Sequence, residues 1–239
     1  MKKSHFLLID TETTQDNLVA DFGAIICDRK GNILNQCAVL VGGVFTDPIN
    51  HPLFFTSDPD GIWSKDGQDK RYKTYKRMLK SGSRMIANVA AINNWLAKAA
   101  TTYQPILTAY NLAFDLDKCR NTGIDLTLFN QSFCLWHAAY AAYAQSKAYR
   151  KMVLDLHAFN SPTRYQNMTY KTNAETMARF CLGQPDLVDE PHTSLEDIVF
   201  YELPILQKLC KSKSNRWLIN NKVRANWRNV QVKDHFKPS

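Results

Sequence analysis

The sequence contains no apolar run long enough to cross a membrane. A membrane-spanning helix needs about 18 or more consecutive apolar residues. The opening Lys2 and Lys3 are followed by a shorter apolar run, which Asp10 interrupts. That run is also too short for a secretory signal. We therefore expect a soluble protein without membrane partners.

Cysteine pairs with C-x-x-C spacing are also absent. The six cysteines show neither zinc-ligand spacing nor the density of a disulfide framework. Cys27, Cys37 and Cys134 lie in apolar, strand-like runs, where cysteine acts as a small core residue in a reducing compartment. The composition therefore predicts a cytoplasmic protein, and 239 residues suffice for one α/β domain with extensions.

Two carboxylates end the first apolar run. Residues 5–13 read as a short buried strand that carries Asp10 and Glu12 at its carboxyl end. Because side chains alternate across a strand, these two carboxylates point to the same side. Mg²⁺ and Mn²⁺ prefer such hard oxygen ligands. The alternative is that this acidic segment only caps a following helix.

A third carboxylate follows the next strong strand pattern. Residues 105–110 form an apolar strand, and Asn111 to Asp115 follow directly. Asp115 is placed where a helix begins. It can therefore be a metal ligand, or an ordinary N-terminal carboxylate favoured by the helix dipole.

The last acidic residue is preceded by a histidine. His192 stands before an apolar-periodic helix that Thr193 or Ser194 can cap, and Asp197 is predicted in the second turn of that helix. We expect Asp197 to be held firmly and His192 to lie on a mobile loop. The alternative for His192 is an ordinary surface histidine.

Apolar spacing predicts the order strand, strand, strand, insertion, helix, strand, helix, strand and further helices. Residues 24–27 and 33–41 flank a turn-rich segment that predicts a hairpin. Residues 88–100 have helical spacing and lead to the strand before Asp115. We expect a mixed sheet with helices on both faces and the acidic residues at its first and fourth strands.

Taken together, these segments resemble the DEDDh group of DnaQ-like 3′–5′ exonucleases, which have a ribonuclease H-like fold. The likeness spans roughly residues 5–210 and depends on three short patterns in a fixed order. One departure is Ser194, where the family often has alanine. The patterns in this chain are Asp10-Thr11-Glu12-Thr13, Asn111-Leu112-Ala113-Phe114-Asp115, and His192 followed five residues later by Asp197.

The resemblance implies a site for two metal ions, Mg²⁺ or Mn²⁺. Asp10, Glu12 and Asp197 would hold the tighter ion, Asp10 would bridge to the second, and Asp115 would support that second ion. His192 would be the general base, with an unperturbed pKa near 6.5. Residues matching positions that bind the terminal nucleotide are Thr11, Thr13, Asn111 and Phe114, although strand-end threonines and a core phenylalanine explain three of them equally well.

The function expected from this resemblance is hydrolysis of phosphodiester bonds from a free 3′ end, with single-stranded DNA ends favoured over RNA. A 3′–5′ exoribonuclease is the nearest alternative, because no side chain in the sequence signals a 2′-hydroxyl contact. A non-catalytic nucleic-acid-binding or polymerase-associated module is the alternative from another class.

Two segments are additional to the minimal family core. Residues 42–85 form an insertion, and from Lys65 to Arg84 it has eight Lys or Arg against two Asp. These cations, with Tyr72 and Tyr75 between them, would either follow phosphates and stack bases or form a solvated helix face. Residues 1–210 would make up the exonuclease domain, followed by a basic extension at 211–239.

The basic extension carries the chain's excess charge. From Lys208 onward there are nine Lys or Arg against Asp234, which equals the net charge of +8 of the whole chain. Trp217 and Trp227 lie among these charges and would either stack on unpaired bases or pack against the body.

Overall fold

The computed structural model describes residues 4–161 and 169–211. These residues form an α/β fold with one mixed sheet. Its strands are β1 (His5–Thr13), β2 (Val19–Asp28), β3 (Ile33–Val41), β4 (Met85–Ala87), β5 (Ile106–Ala109) and β6 (Ser132–Cys134). Its α-helices are α1 (Lys65–Ser81), α2 (Val89–Tyr103), α3 (Leu112–Thr122), α4 (Leu135–Ala139), α5 (Lys147–Asp155), α6 (Ala174–Leu182), α7 (Ser194–Asp197) and α8 (Leu203–Cys210). Two π-helical segments, Tyr140–Ala144 and Ile198–Glu202, directly follow α4 and α7.

The strand order is β4-β3-β2-β1-β5-β6. Strand β1 is antiparallel to β2 and parallel to β5, and the predicted hairpin is present as β2 paired with β3. The mixed sheet is therefore confirmed. Strand β4 was not predicted, because three residues are too few to show a period. The predicted first and fourth strands, β1 and β5, are neighbours in the sheet.

Both faces of the sheet are covered, as the predicted order of strands and helices indicated. Phe6 and Leu8 pack into one core with α4, α5, α6 and α8, while Leu7 and Ile9 pack into a second core with α1, α2 and α3. All four side chains are fully buried. A strand buried on both faces has continuous rather than alternating hydrophobicity.

The insertion contains helix α1. Ser64 caps its N-terminus by accepting a hydrogen bond from the Gly67 amide at 3.0 Å, and Gly82 ends it with a φ of +77°. Tyr75 is fully buried, packed edge-on against Phe45. Base stacking, one of the two alternatives for this basic segment, is therefore wrong for Tyr75. Its ring belongs to the core.

Both alternatives for the basic extension concern residues that the structure does not describe. Residues 212–239, with Trp217 and Trp227, lie outside the described residues. Within the described part of the chain, no helix combines the length and the apolar composition that crossing a membrane requires.

Candidate active site

A cavity of about 780 Å³ lies at the carboxyl ends of β1 and β5. Parallel strands bring their carboxyl ends to the same edge of a sheet, which is where α/β proteins commonly bind ligands. The cavity brings together residues that are up to 192 positions apart in the chain. All nine predicted site residues line it: Asp10, Thr11, Glu12, Thr13, Asn111, Phe114, Asp115, His192 and Asp197.

Asp10 and Glu12 lie within β1, which continues to Thr13. No helix follows them directly, so the helix-capping alternative is wrong. One buried oxygen of Asp10, Oδ2, has no hydrogen-bond partner among the described residues. Burial, and secondarily the nearby Asp21, raises the pKa of Asp10 to about 7. Burial and the charge of Asp10 also raise the pKa of Glu12.

Asp115 lies in the first turn of α3, as predicted. The residue before this helix, Asn111, has a left-handed backbone with a φ of +75°. Thr11 Oγ1 donates a hydrogen bond to Asp115 Oδ1 at 2.9 Å. The Thr11 hydroxyl therefore holds this carboxylate, and its predicted contact with a nucleotide stays a prediction. Burial, followed by the charge of Asp10, raises the pKa of Asp115.

Asp197 is in the first turn of α7, not the second as the sequence predicted. Thr193 is the N-cap residue, but neither it nor Ser194 gives a side-chain cap. The Thr193 amide instead donates to Asp197 Oδ2 at 3.1 Å. Asp197 Oδ1 is buried without a partner among the described residues, and burial followed by Asp10 raises the Asp197 pKa to about 11.

His192 lies beside two of these carboxylates, Glu12 and Asp197. Ligand atoms of Glu12, His192 and Asp197 lie within 4.8 Å of one another. His192 has a φ of +54°, an uncommon conformation for a residue other than glycine, and one that is concentrated at functional sites. This placement differs from an ordinary surface histidine.

The insertion contributes a wall against His192. The Trp63 ring lies 4.6 Å from the His192 ring, measured between centroids, and the Arg71 guanidinium lies 4.7 Å from the Trp63 centroid. Arg71 is buried and donates to the Phe54 carbonyl. Burial, followed by the charge of Arg71, lowers the pKa of His192 to about 4. The expected unperturbed value near 6.5 is therefore wrong for this environment.

Two further carboxylates line the cavity, and sequence reasoning missed both. Burial raises the pKa of Glu190 to about 8, with Asp10 as the next cause. Glu202 is 3% exposed, and its Oε2 has no partner among the described residues. Burial, followed by Asp10 and Asp115, raises its pKa as well.

The π-helical segment explains why Glu202 was missed. On an α-helix with 3.6 residues per turn, residue 202 would lie about 140° around the axis from Asp197. Both side chains nevertheless line the cavity, because the intervening turn is a π-helix. Such segments occur frequently at functional sites. Pro204, which lacks an amide hydrogen, comes two residues after this segment and is the one sequence signal for an irregular turn here.

A buried ion pair anchors the helix that carries Asp197. Arg84 Nε donates to Asp21 Oδ1 at 3.1 Å, with both side chains fully buried, and Arg84 Nη2 donates to Glu196 Oε2 at 2.5 Å. Asp21 Oδ2 accepts from the Ser194 amide at 3.0 Å. A Cβ on Gly23 would lie 2.7 Å from the backbone of Ser194, so α7 packs directly on β2.

Aromatic side chains form much of the remaining wall. Phe114 is 42% exposed, and the Lys118 ammonium lies 4.7 Å from its ring centroid. Exposed or partly exposed rings around an acidic pocket are surfaces on which bases can stack. The aromatic residues lining the cavity are Phe54, Trp63, Tyr110, Phe114 and Trp136.

No protein-family model matches the chain, and a search of curated proteins returns no significant match. The chemistry of the site therefore has to be inferred from its own residues.

Proposed function

We propose that this protein is a metal-dependent 3′–5′ exonuclease of the DEDDh type, with a ribonuclease H-like fold. The observation that supports this most strongly is the convergence of Asp10, Glu12, Asp115, Asp197 and His192 on one cavity. These residues come from β1, α3, α7 and the loop before α7. A binding module would gain no stability from burying so many carboxylates together.

The donor set fits Mg²⁺ or Mn²⁺. Oxygens of Asp10, Asp197 and Glu202 are buried without partners among the described residues, and burial followed by the charge of Asp10 raises the pKa values of Asp197 and Glu202. Cations would relieve both costs. Asp10, Glu12 and Asp197 would hold one ion, and Asp10 with Asp115 would hold the second. Bound ions would supply charge stabilisation and a lowered pKa for the attacking water.

His192 acts as the general base in this proposal. A lowered pKa keeps its imidazole neutral at pH 7, and the neutral ring has an unprotonated nitrogen that accepts a proton. Trp63 is a positioning residue, because its ring holds the imidazole close to Glu12 and Asp197. Thr11 positions Asp115 in the same way.

The cavity favours a single-stranded end. Its volume suits one or two nucleotides rather than a duplex, within the range of about 300–1,000 Å³ typical of ligand pockets. Unpaired bases can stack on Phe114 and Trp136, while Thr13 and Asn111 offer polar contacts at the wall. We propose DNA as the preferred substrate, as the sequence resemblance suggested, and RNA as the alternative.

The test is digestion of 5′-labelled single-stranded DNA and of RNA of the same sequence, with Mg²⁺, Mn²⁺ or EDTA. The proposal expects a ladder that shortens from the 3′ end, faster for DNA, and no products with EDTA. Faster digestion of RNA would replace DNA by RNA as the substrate. An absence of cleavage with either metal, on both polymers, would refute the nuclease.

A further inference from the structure

Helix α1 of the insertion has a strongly basic exposed face. Two of the eight cations between residues 65 and 84, Arg71 and Arg84, are buried and bonded inside the protein. The other six are exposed, against the two exposed acids Asp66 and Asp69. This leaves a net charge of +4 on the exposed side. The six exposed cations are Lys65, Lys70, Lys73, Lys76, Arg77 and Lys80.

The six cations share one side of the helix. At 3.6 residues per turn they fall within roughly 140° of the helix circumference, and Arg71 and Tyr75 point to the opposite side. A 17-residue helix is about 25 Å long, and cations recur on each turn. Among the described residues, none of these six forms an ion pair. A face that only keeps a helix soluble usually mixes charges of both signs more evenly.

The basic face begins beside the candidate active site. Trp63 lines the cavity, Ser64 caps the helix, and Lys65 is its first residue. On the buried side of the same helix, Gln68 and Arg71 donate to the carbonyls of Leu53 and Phe54, and Phe54 also lines the cavity. The helix is therefore fixed to the cavity wall at the end where its basic face starts.

We propose that the exposed face of α1 binds the backbone phosphates of the strand whose 3′ end occupies the cavity. The proposal rests on the exonuclease function. The acidic cavity can attract a phosphate group only through bound metal cations. The lysine and arginine side chains of α1 attract phosphate groups directly. Binding to this face carries no sequence preference, because lysine contacts to phosphates carry no base information.

The test compares two triple variants that each remove three exposed positive charges. One is K73Q/K76Q/K80Q on α1, and the matched control is K30Q/K98Q/K147Q at scattered exposed sites. Binding of a fluorescent 20-nucleotide single strand is measured by anisotropy in EDTA over a range of salt concentrations. Each single-strand phosphate contact contributes about −0.7 to the slope of log K against log salt, so the α1 variant should lose about 2 from that slope. The control should keep the wild-type slope.

An unchanged slope in the α1 variant, or an equal change in both variants, would overturn the proposal. A second variant, K70Q/R77Q, should lose about 1.4 from the slope, at roughly −0.7 per contact. Because the assay needs no cleavage, it is separate from the test of the nuclease. If the protein binds the strand with the predicted slopes but digests nothing, the proposed binding face of α1 is supported and the proposed nuclease activity is refuted.

Discussion

Trp63 packs against His192 with their ring centroids 4.6 Å apart. The tryptophan comes from the insertion and the histidine from the loop before α7. The segment between β3 and β4 thus forms one side of the environment of the proposed general base.

Replacing Trp63 by alanine should lower kcat about tenfold, since general acid–base catalysis contributes roughly 10²–10⁴-fold and misplacing the base loses part of it. W63F keeps an aromatic ring beside His192 and should retain most of the activity. Steady-state rates on the labelled strand provide the measurement. Equal rates for W63A and wild type would show that Trp63 does not position the base.

The hydroxyl of Thr11 provides a second prediction. T11V keeps the β-branched shape but removes the hydrogen bond to Asp115. A hydrogen bond to a charged group is worth about 1.5–3 kcal/mol, so kcat should fall roughly ten- to a hundredfold. T11S restores the donor and should recover most of the rate. If T11V were as active as the wild type, the Thr11 hydroxyl would have no positioning role.

Replacing Arg84 should reduce the stability of the folded protein, although Arg84 does not act directly in catalysis. R84A leaves the buried Asp21 without its partner, and breaking a buried pair in this way costs about 3–5 kcal/mol. R120A removes an exposed pair with Asp117 and should cost less than about 1 kcal/mol. Urea unfolding curves of the two variants measure the difference. Similar losses in both would contradict the structural role of the buried pair.

The carboxylate cluster should make the metal-free protein less stable as pH rises. A carboxyl group with a pKa raised by folding stabilises the fold while it is protonated. That stabilisation is complete below the unfolded pKa of about 4 and is lost as pH passes the folded value, which is about 7 for Asp10 and about 8 for Glu190. The lowered pKa of His192 has the opposite effect, because it makes stability rise with pH between about 4 and 6.5. This is the effect of one group, whereas several carboxyl groups make stability fall.

Thermal melting in EDTA between pH 5 and pH 8.5 measures this dependence. We expect the melting temperature to fall toward pH 8.5 and Mn²⁺ to restore it, with a smaller fall in E190Q. D186N, which changes an exposed acid, should behave like the wild type. A melting temperature that rises with pH in EDTA would contradict the raising of these carboxyl pKa values by burial and by neighbouring carboxylates.

The sequence predicted the parts of the site that depend on local patterns. Asp10 and Glu12 come at the end of the strand that begins with a continuous apolar run, and Asp115 comes shortly after another apolar strand, so their placement at the first and fourth predicted strands followed from local patterns. The mixed sheet and the two covered faces followed from the same runs.

Features that depend on tertiary contacts could not be predicted in this way. Trp63 and His192 are 129 positions apart in the sequence, so no local sequence pattern could predict the contact between their rings. Glu202 enters the cavity because of a π-helical turn, which breaks the 3.6-residue period used to assign helix faces. Tyr75 lies among lysines in the sequence, yet the helix turns it into the core.

The most direct test of the proposed nuclease compares D197N with D186N on a 5′-labelled single strand in Mn²⁺. D197N removes one negative charge from the cavity at nearly constant shape, and D186N removes one from the exposed surface. We predict stepwise loss of nucleotides from the 3′ end by the wild type and D186N, and a rate at least about 100-fold lower for D197N, as for loss of a group that acts on the transition state. Equal digestion by all three proteins would contradict the account, because the activity would then not depend on the acidic cavity.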